Sequence, residues 1–283
     1  MAPVLGDHTV TDPHINSFSV TSAGRHCGYL QTSPEFALKK LLAKDVGAVY
    51  SLGPVFRAGE SGGRHNEEFL MLEWYQPGFD LSALEDEIAS LIKGLAIEFG
   101  AVFPQPHVTT YAELFSNKFS VNPHFASETT LRELVEAHFP ESALHLDVDL
   151  ATSNDYLDTL FSLGVELELQ APTFVREFPA TQAALAKIAT VDGVAVSMRS
   201  ELYWQGLELC NAYDELRDGD ELRQRMVNDN AIRDKLGYDQ IAPDDELIGA
   251  LAKMPECVGV ALGVERLLML LNDANELSEI SEF

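Results

Sequence analysis

Apolar residues recur at helical spacing in two segments near the start of the chain. The first helix is predicted to begin with Ser33 as N-cap, Pro34 at the first helical position and Glu35 in the first turn, an order typical of a helix start. A second helix is predicted after Asp80, which has the side chain of an N-cap. The apolar positions that define the two helices are Phe36, Leu38, Leu41, Leu42, Leu81, Leu84, Ile88, Leu91, Ile92 and Leu95.

Further helices are predicted in the middle and in the last third of the chain. Residues 131–139 and 154–164 have helical patterns inside a less diagnostic segment, which we interpret as a helical insertion at about residues 104–170. Two acidic helices are predicted near residues 220–236 and 244–253. The chain therefore has mixed helix and strand content, with no internal repeat or low-complexity linker.

Alternation with a period of two marks a first β-hairpin. On its second strand Phe69, Met71, Glu73 and Tyr75 share one face, and Arg57 ends the first strand before a turn rich in glycine. An aromatic ring, a carboxylate and a phenol on one face are an unusual lining for a core, because a buried charge is costly without a partner. The hairpin is therefore a candidate site, and a half-exposed hairpin with a polar outer face is the alternative.

A second hairpin is predicted where two alternating runs meet at Gln205-Gly206. If this pair is a two-residue turn, Tyr203 faces Glu208, and Glu201 lies diagonally from Glu208 on the same side. Two converging carboxylates are hard oxygen ligands of the kind that Mg²⁺ prefers, above all together with triphosphate oxygens. Paired glutamates on a solvent face remain the alternative.

Composition limits the class of protein. The 283 residues are 46% hydrophobic and 23% charged, enough for a large core, and we expect one domain spanning residues 1–283. The sequence has no apolar run of roughly 18 residues and no basic region followed by a hydrophobic one at its start, so a soluble cytoplasmic protein is expected. Its three cysteines have no CxxC spacing, and we expect them to be buried and unpaired.

Charge argues against a large polyanion as partner. The formal net charge is −26, from 45 acidic and 19 basic residues, and no basic patch stands out in the sequence. Such a balance repels phosphate backbones, so tRNA is an unlikely partner. The simplest explanation of the charge is a solvated acidic surface that favours solubility.

Two motifs relate the chain to a known group of enzymes. FRAGESGGRHNEEFLMLEWY (56–75) resembles motif 2 of the class II aminoacyl-tRNA synthetases, and GVALGVERLLML (259–270) resembles their motif 3. With four further blocks in order, the chain is most similar to the elongation factor P beta-lysine ligases, which are paralogues of class II lysyl-tRNA synthetase without its anticodon-binding domain. The blocks are TVTDPHI, LQTSPEFALKKLL, PTFVREFPATQAALAKI and GLELCNAYDEL. The fold that this resemblance implies is α+β, the class II catalytic fold with an antiparallel sheet flanked by helices.

The resemblance implies a site for ATP and Mg²⁺. Arg57 would grip the α-phosphate, and Phe69 would stack on adenine with Arg266 on the other side of the ring; the two arginines would be catalytic. Arg64 and His65 would approach the distal phosphates, and Glu201 and Glu208 match the magnesium-binding carboxylates. The remaining positions that match the ATP site are Glu60, Asn66, Leu209 and Gly263.

The resemblance also implies a pocket for a diamino acid. Glu73, Tyr75, Asn211 and Glu215 match positions that line the lysine pocket, where carboxylates and a phenol can pair with ammonium groups. The TSPE segment contributes Ser33, Pro34 and Glu35, and motif 3 contributes Ala261. Ser33 and Ala261 favour the ligases, because the synthetases usually have Ala and Gly at these places.

The implied reaction has two steps. ATP activates lysine or (R)-beta-lysine as an adenylate, and a lysine side chain of elongation factor P then captures the aminoacyl group as an amide. A lysyl-tRNA synthetase-like core and a catalytically silent paralogue that acts as a binding module remain alternatives.

The start of the chain differs from the class II pattern. The long motif 1 helix that lies at the dimer interface of these enzymes is missing from the sequence, which begins at the proline that follows motif 1. A homodimer is therefore expected only if that helix is present. Ala212 and Cys210 also depart from the usual residues, so the shape of the substrate could differ.

Overall fold

The computed structural model describes residues 2–280, so Met1 and residues 281–283 of the expected domain lie outside the described residues. The chain forms two compact units. Unit 1 contains the chain up to Val102 and from Asp214 onward, and unit 2 is Phe103–Tyr213. Unit 2 contains the segment at 104–170 that was interpreted as a helical insertion, together with a group of strands.

Eleven strands and nine α-helices lie within residues 2–280. The strands are β1 (Leu5–Gly6), β2 (Ser19–Ser22), β3 (Arg25–Leu30), β4 (Val49–Phe56), β5 (Glu68–Pro77), β6 (His107–Thr110), β7 (Thr173–Pro179), β8 (Ile188–Val191), β9 (Val194–Trp204), β10 (Leu207–Asp214) and β11 (Cys257–Gly263). The helices are α1 (Glu35–Leu42), α2 (Leu81–Glu98), α3 (Tyr111–Phe119), α4 (Glu128–His138), α5 (Pro140–Ala143), α6 (Ser153–Gly164), α7 (Gly219–Lys235), α8 (Asp245–Leu251) and α9 (Val264–Leu271).

The main sheet of unit 1 is antiparallel, and helices pack on it. Strand β5 pairs with β4 on one side and with β11 on the other, without a register shift in either pair. Helix α1 packs on β4, α2 on β11 and α9 on β5. A second, small sheet has the order β1-β3-β2. The predicted antiparallel strands flanked by helices are confirmed.

The two helix starts predicted near the beginning of the chain differ in outcome. Helix α2 begins as predicted, because the side chain of Asp80 accepts a hydrogen bond from the backbone N–H of Ala83 at 2.8 Å. The prediction that Pro34 occupies the first helical position is wrong by one residue. Pro34 is itself the N-cap, since its ψ of 5° is not helical, and Ser33 Oγ accepts the N–H of Glu35 at 3.3 Å.

Unit 2 combines a helical core with a sheet. The predicted helices at 131–139 and 154–164 are confirmed as α4 and α6, and they pack together with α3, which the sequence pattern did not reveal. Strands β7, β9 and β10 pair antiparallel in that order, and β8 pairs with β9. Strand β6 is the exception, because it runs parallel to β7.

The acidic helices α7 and α8 begin as the sequence suggests. Asp218 and Asp244 cap them by accepting backbone N–H groups, and both helices lie within two residues of the predicted bounds. The three cysteines form no disulfide, and Cys210 and Cys257 are buried as expected, whereas Cys27 is half-buried. Among the described residues, no helix is long and apolar enough to cross a membrane.

Candidate active site

Arg57 follows strand β4 and is held at the start of a loop. Its backbone N–H donates to the carbonyl of Glu67 at 2.8 Å, and its Nε donates to the carbonyl of Thr32 at 3.4 Å. The guanidinium carbon lies 5.3 Å from the ring centroid of Phe69, within the range of a cation–π contact. Glu60 Oε1 is 3.9 Å from Nη1. A half-buried arginine is thus fixed beside an aromatic ring.

The loop from Arg57 to Glu67 folds back on itself. The N–H of Gly59 donates to Glu67 Oε1 at 2.7 Å, and Gly62 and His65 form an isolated antiparallel bridge. The φ of Gly59 is 84°, a conformation that favours glycine. The motif 2 loop is therefore an ordered turn whose backbone is held by its own groups.

A segment from the end of the chain supports the tip of this loop. The N–H of Leu277 donates to the carbonyl of Gly63 at 2.9 Å, and Leu277 is buried. An open cleft of about 470 Å³ lies between the loop and this segment. Its lining residues are Gly63, Arg64, His65, Asn275 and Glu276.

Arg266 of motif 3 is brought to the same loop. Its Nη2 contacts Nε2 of His65, and Gly263, the last residue of β11, precedes the helix that carries Arg266. In the preceding helical position Glu265 accepts the backbone N–H of Leu70 at 2.6 Å, which ties α9 to β5. The structure thus places Arg266 against His65, on the loop that Arg57 begins, and Asn66 lies exposed on that loop.

Buried carboxylates form a second cluster in unit 1. Glu73 and Glu215 are 2% and 3% exposed, and the Tyr75 hydroxyl donates to Glu73 Oε1 at 2.8 Å. Lys39 is fully buried, with Nζ 2.5 Å from Glu35 Oε1 and 2.6 Å from Glu215 Oε2. The predicted shared face of β5 is confirmed, since Glu73 and Tyr75 occupy it together.

Burial and mutual repulsion change the ionisation of this cluster. Burial, together with Glu35, raises the pKa of Glu73 well above its usual range. Burial raises the pKa of Glu215 to about 7, although Lys39 opposes the change. Burial alone would lower the pKa of Lys39, but Glu215 and Glu35 raise it overall. Lys39 therefore pairs with two of the three carboxylates, and this cluster can hold a proton at neutral pH.

The second hairpin places a further set of polar groups in unit 2. Tyr203 pairs with Glu208 as predicted. Glu201 accepts from Nη2 of Arg199 and from the Tyr203 hydroxyl, and Asn211 Oδ1 accepts from Nε of Arg199 at 3.2 Å. Burial raises the pKa of Glu201 to about 7 against the effect of Arg199.

A bulge changes the register of this hairpin. The ladder shifts between Glu208 and Cys210, so that Leu209 is the extra residue and Asn211, not Cys210, lies opposite Glu201. A regular two-residue hairpin would have placed the cysteine there. The bulge thus puts an amide beside the carboxylate and arginine.

Comparison with known proteins identifies the family. The model for tRNA synthetases class II (D, K and N) matches residues 1–283. Curated proteins named elongation factor P–(R)-beta-lysine ligase are similar along nearly the whole chain. The protein from Photorhabdus laumondii is 39% identical over 289 residues, and those from Yersinia enterocolitica and Hamiltonella defensa are 38% and 37% identical over 294 residues. Each alignment covers 99% of this chain and 86% of the relative.

The chain belongs to the class II tRNA synthetase family, among the elongation factor P–(R)-beta-lysine ligases. Its motif 2 is the β4–β5 hairpin and its motif 3 is β11 with α9. The two motifs meet in the structure because β5 pairs with β11, which sets Ala261 opposite Glu73 and Gly259 opposite Tyr75.

The carboxylates of Glu201 and Glu208 are the pair expected to bind Mg²⁺. Both carboxylate oxygens of Glu201 accept hydrogen bonds, and the described residues contain no group of three or more His, Cys, Asp or Glu placed to hold a metal. Magnesium is usually bound through one or two carboxylates plus substrate phosphates. Glu201 and Glu208 have the chemistry for such a shared site.

Sequence reasoning missed two cations. Arg199 precedes Glu201 and Tyr203 by the period of two, so strand alternation could have placed it on their face. Lys39 lies four residues after Glu35, the spacing of an ion pair on a helix, so this spacing could have indicated the pair.

Gly259 lies where there is no room for a side chain, which leads to a prediction. A Cβ at this position would overlap the ring of Tyr75 and meet Glu215 Oε1 at 2.5 Å. Gly259→Ala is expected to destabilise the protein by about 1–3 kcal/mol, the usual cost of overpacking, and to weaken amino-acid binding. Urea denaturation measures the first effect.

Gly94→Ala is the matched control, because Gly94 lies inside α2 and a Cβ there meets nothing within 4 Å. This change should stabilise the protein by roughly 0.5–1 kcal/mol. Equal stability of the Gly259→Ala variant and the unchanged protein would contradict the close approach at β11.

Proposed function

We propose that the protein is an ATP-dependent ligase that activates lysine or (R)-beta-lysine and joins it to a lysine side chain of elongation factor P. The observation that carries the proposal is the cluster of Glu35 with the buried Glu73 and Glu215, because three neighbouring carboxylates suit a substrate with ammonium groups. The names of its relatives support the acceptor. The whole chain, with an insertion at about residues 104–170, would act as one catalytic domain.

The ATP site would be formed by the motif 2 loop and motif 3. Arg57 would bind the α-phosphate, with Glu60 beside it, and Phe69 and Arg266 would enclose the adenine ring. The residues proposed for the distal phosphates are Arg64, His65 and Asn66. The cleft at Arg64 and His65 supports this assignment. Leu209 and Gly263 would contribute contacts through their backbones.

Magnesium would be held by Glu201 and Glu208 together with the phosphates of ATP. When bound, the ion supplies charge stabilisation to the phosphate oxygens. Arg199 and Tyr203 orient Glu201 by hydrogen bonds, so a carboxylate is held in position before the nucleotide arrives.

The amino-acid site would use the side chains on the inner face of β5. Glu73, Tyr75 and Glu215 would receive the ammonium groups, and Ser33, Pro34, Glu35 and Ala261 would shape the pocket. Asn211 is held by Arg199 in unit 2, and its contact with substrate remains a prediction.

The reaction would follow two displacements. A carboxylate oxygen of the amino acid attacks the α-phosphorus of ATP, and the bond to the bridging oxygen breaks to release pyrophosphate. The side-chain amine of the acceptor then attacks the acyl carbon, loses a proton and releases AMP. Arg57 stabilises the negative charge that builds up at the α-phosphate, so no nucleophilic residue of the enzyme is needed.

The proposal also predicts the compartment, the partners and the oligomeric state of the enzyme. An acceptor in translation implies a cytoplasmic enzyme, and the acidic chain makes tRNA an unlikely partner. A homodimer remains a prediction for a form that carries the motif 1 helix.

ATP–pyrophosphate exchange with L-lysine and (R)-beta-lysine in parallel tests the proposal. Exchange that requires Mg²⁺ and favours (R)-beta-lysine is expected, followed by stable transfer of labelled amino acid to elongation factor P. Transfer to tRNA instead would support a lysyl-tRNA synthetase-like core. No exchange together with ATP binding would support a binding module without catalysis.

A further inference from the structure

Lys39 places an ammonium group of the protein itself among the carboxylates proposed to bind the ammonium groups of the substrate. Its side chain is fully buried, and its ammonium bridges Glu35 and Glu215 at 2.5 and 2.6 Å. A buried lysine of this kind stays charged only because two carboxylates face it. Glu73 is close enough to be influenced by Lys39, Glu35 and Glu215.

The charges in this pocket can be counted. Three carboxylates and one ammonium have a formal charge of −2, so two further ammonium groups make the pocket neutral. A buried pocket favours neutrality, since an unpaired charge in low dielectric is costly. The titratable groups around it on α1, β5, the end of β10 and β11 are Glu35, Lys39, Glu73, Tyr75, Asp214, Glu215 and Cys257.

We propose that Lys39 is the fixed cation of the amino-acid pocket, which sets its charge to match a substrate with two ammonium groups. The inference rests on the proposed function and deepens it by naming a positioning residue for the substrate. Lys39 acts through Glu215 and Glu35, which it holds in place, and it does not itself touch the reacting atoms.

A consequence of this charge balance is that substrate binding releases a proton. In the empty pocket Glu73 is protonated, since burial and Glu35 raise its pKa well above the usual range. An arriving ammonium stabilises the carboxylate form, and the proton leaves Glu73 for bulk water. Burial and the charge of Glu73 raise the pKa of Tyr75. Tyr75 therefore remains a phenol that donates a hydrogen bond to Glu73.

The sign of the pH dependence follows from this step. Because binding releases the proton of Glu73, affinity for the diamino acid rises with pH as long as Glu73 is protonated in the empty pocket. Far above neutral pH the affinity falls again, because the amino groups of the substrate lose their charge.

Titration calorimetry of the full chain measures the proton directly. L-lysine is titrated at pH 7 into the protein in buffers of different ionisation enthalpy, and the slope of the observed heat against that enthalpy counts the protons released. About one proton per bound L-lysine is expected. L-norleucine, which has the shape of lysine without the side-chain amine, should bind at least about 100-fold more weakly and release none.

Variants then test Lys39 itself. Lys39→Met keeps much of the side-chain volume and removes the charge, so the dissociation constant for L-lysine should rise roughly 100-fold at pH 7. The number of protons released should rise towards two, because an additional carboxylate is then protonated in the empty pocket. ATP binding should be unchanged.

Lys40→Met is the matched control. Lys40 is the neighbouring residue and also pairs with two carboxylates, Asp244 at 2.7 Å and Glu246 at 2.9 Å, but its side chain is 21% exposed and faces a different group. In this variant the dissociation constant for L-lysine and the number of protons released on binding should both be unchanged.

The double variant Lys39→Met/Glu35→Gln distinguishes charge from packing. It removes one negative and one positive charge, so the formal charge returns to −2 and most of the lost affinity should return. No recovery would mean that Lys39 acts through packing, and the proposal would be overturned.

The outcomes for the unchanged protein separate the two proposals. L-lysine binding with no proton release overturns the role of Lys39 while leaving the ligase proposal intact, even if no Lys39 variant folds. Absence of both binding and exchange with either lysine isomer overturns the proposed function, and this inference with it.

Discussion

Arg57→Ala is expected to lower the rate of ATP–pyrophosphate exchange by roughly 1,000-fold, because it removes the charged donor that we propose for the α-phosphate, where negative charge develops. The structure fixes this side chain from two directions, by the carbonyl of Thr32 and by the ring of Phe69. A preorganised cation of this kind acts mainly in the transition state, so the exchange rate at saturating ATP should show the loss. Steady-state exchange assays with varied ATP measure it.

Arg25→Ala is the control for this variant. Arg25 is exposed on β3 in the same unit, and its replacement removes the same charge from the protein without touching the motif 2 loop. The exchange rate of this variant should stay within about twofold of the unchanged enzyme, since surface charges contribute little. Near-normal exchange by Arg57→Ala would overturn the assignment of the motif 2 arginine.

Strand periodicity was sufficient to predict the inner face of β5. Because β5 has no register shift against β4 or β11, a period of two places Glu73 and Tyr75 side by side over the whole strand. The same reasoning gave Tyr203 opposite Glu208. Local rules succeed where the ladder is regular and where the turn has two residues.

Other parts of the site depend on contacts between distant parts of the chain, which no local pattern contains. Glu215 meets Lys39 across a long sequence separation, and Leu277 reaches the motif 2 loop from the end of the chain. The bulge at Leu209 is likewise set by the pairing of the whole strand and not by a turn residue. Sequence patterns therefore predicted which side chains share a strand face but not which charge neutralises them.

The start of α1 shows how a local rule can be right about the element and wrong about its first residue. Ser33 accepts the N–H of Glu35, yet the backbone of Pro34 has not entered the helix. Glu35 is the first helical residue, and Lys39 lies one turn later on the same face. Proline at a helix entrance fixes φ but leaves ψ to the surrounding contacts.

Glu73→Gln is the second large change, with an expected loss of roughly 100-fold or more in affinity for the diamino acid. Glutamine has the shape of glutamate but cannot ionise, so the arriving ammonium finds no charge to pair with, and the Tyr75 hydroxyl keeps an acceptor. The proton released on binding should also disappear, since Glu73 is its source. Calorimetric titration with L-lysine and then with ATP measures both effects, and ATP affinity should be unchanged.

Glu87→Gln is the matched control for this last variant, because it tests the opposite face of the same strand. Glu87 accepts hydrogen bonds from Trp74 at 2.8 Å and from Gln76 at 2.7 Å, both on the other side of β5 from Glu73. The same chemical change there should leave L-lysine affinity and proton release unaltered. Equal losses of amino-acid and ATP affinity in Glu73→Gln would indicate damage to the sheet as a whole. A loss confined to the diamino acid, together with the missing proton, identifies Glu73 as a group that binds the substrate's charge.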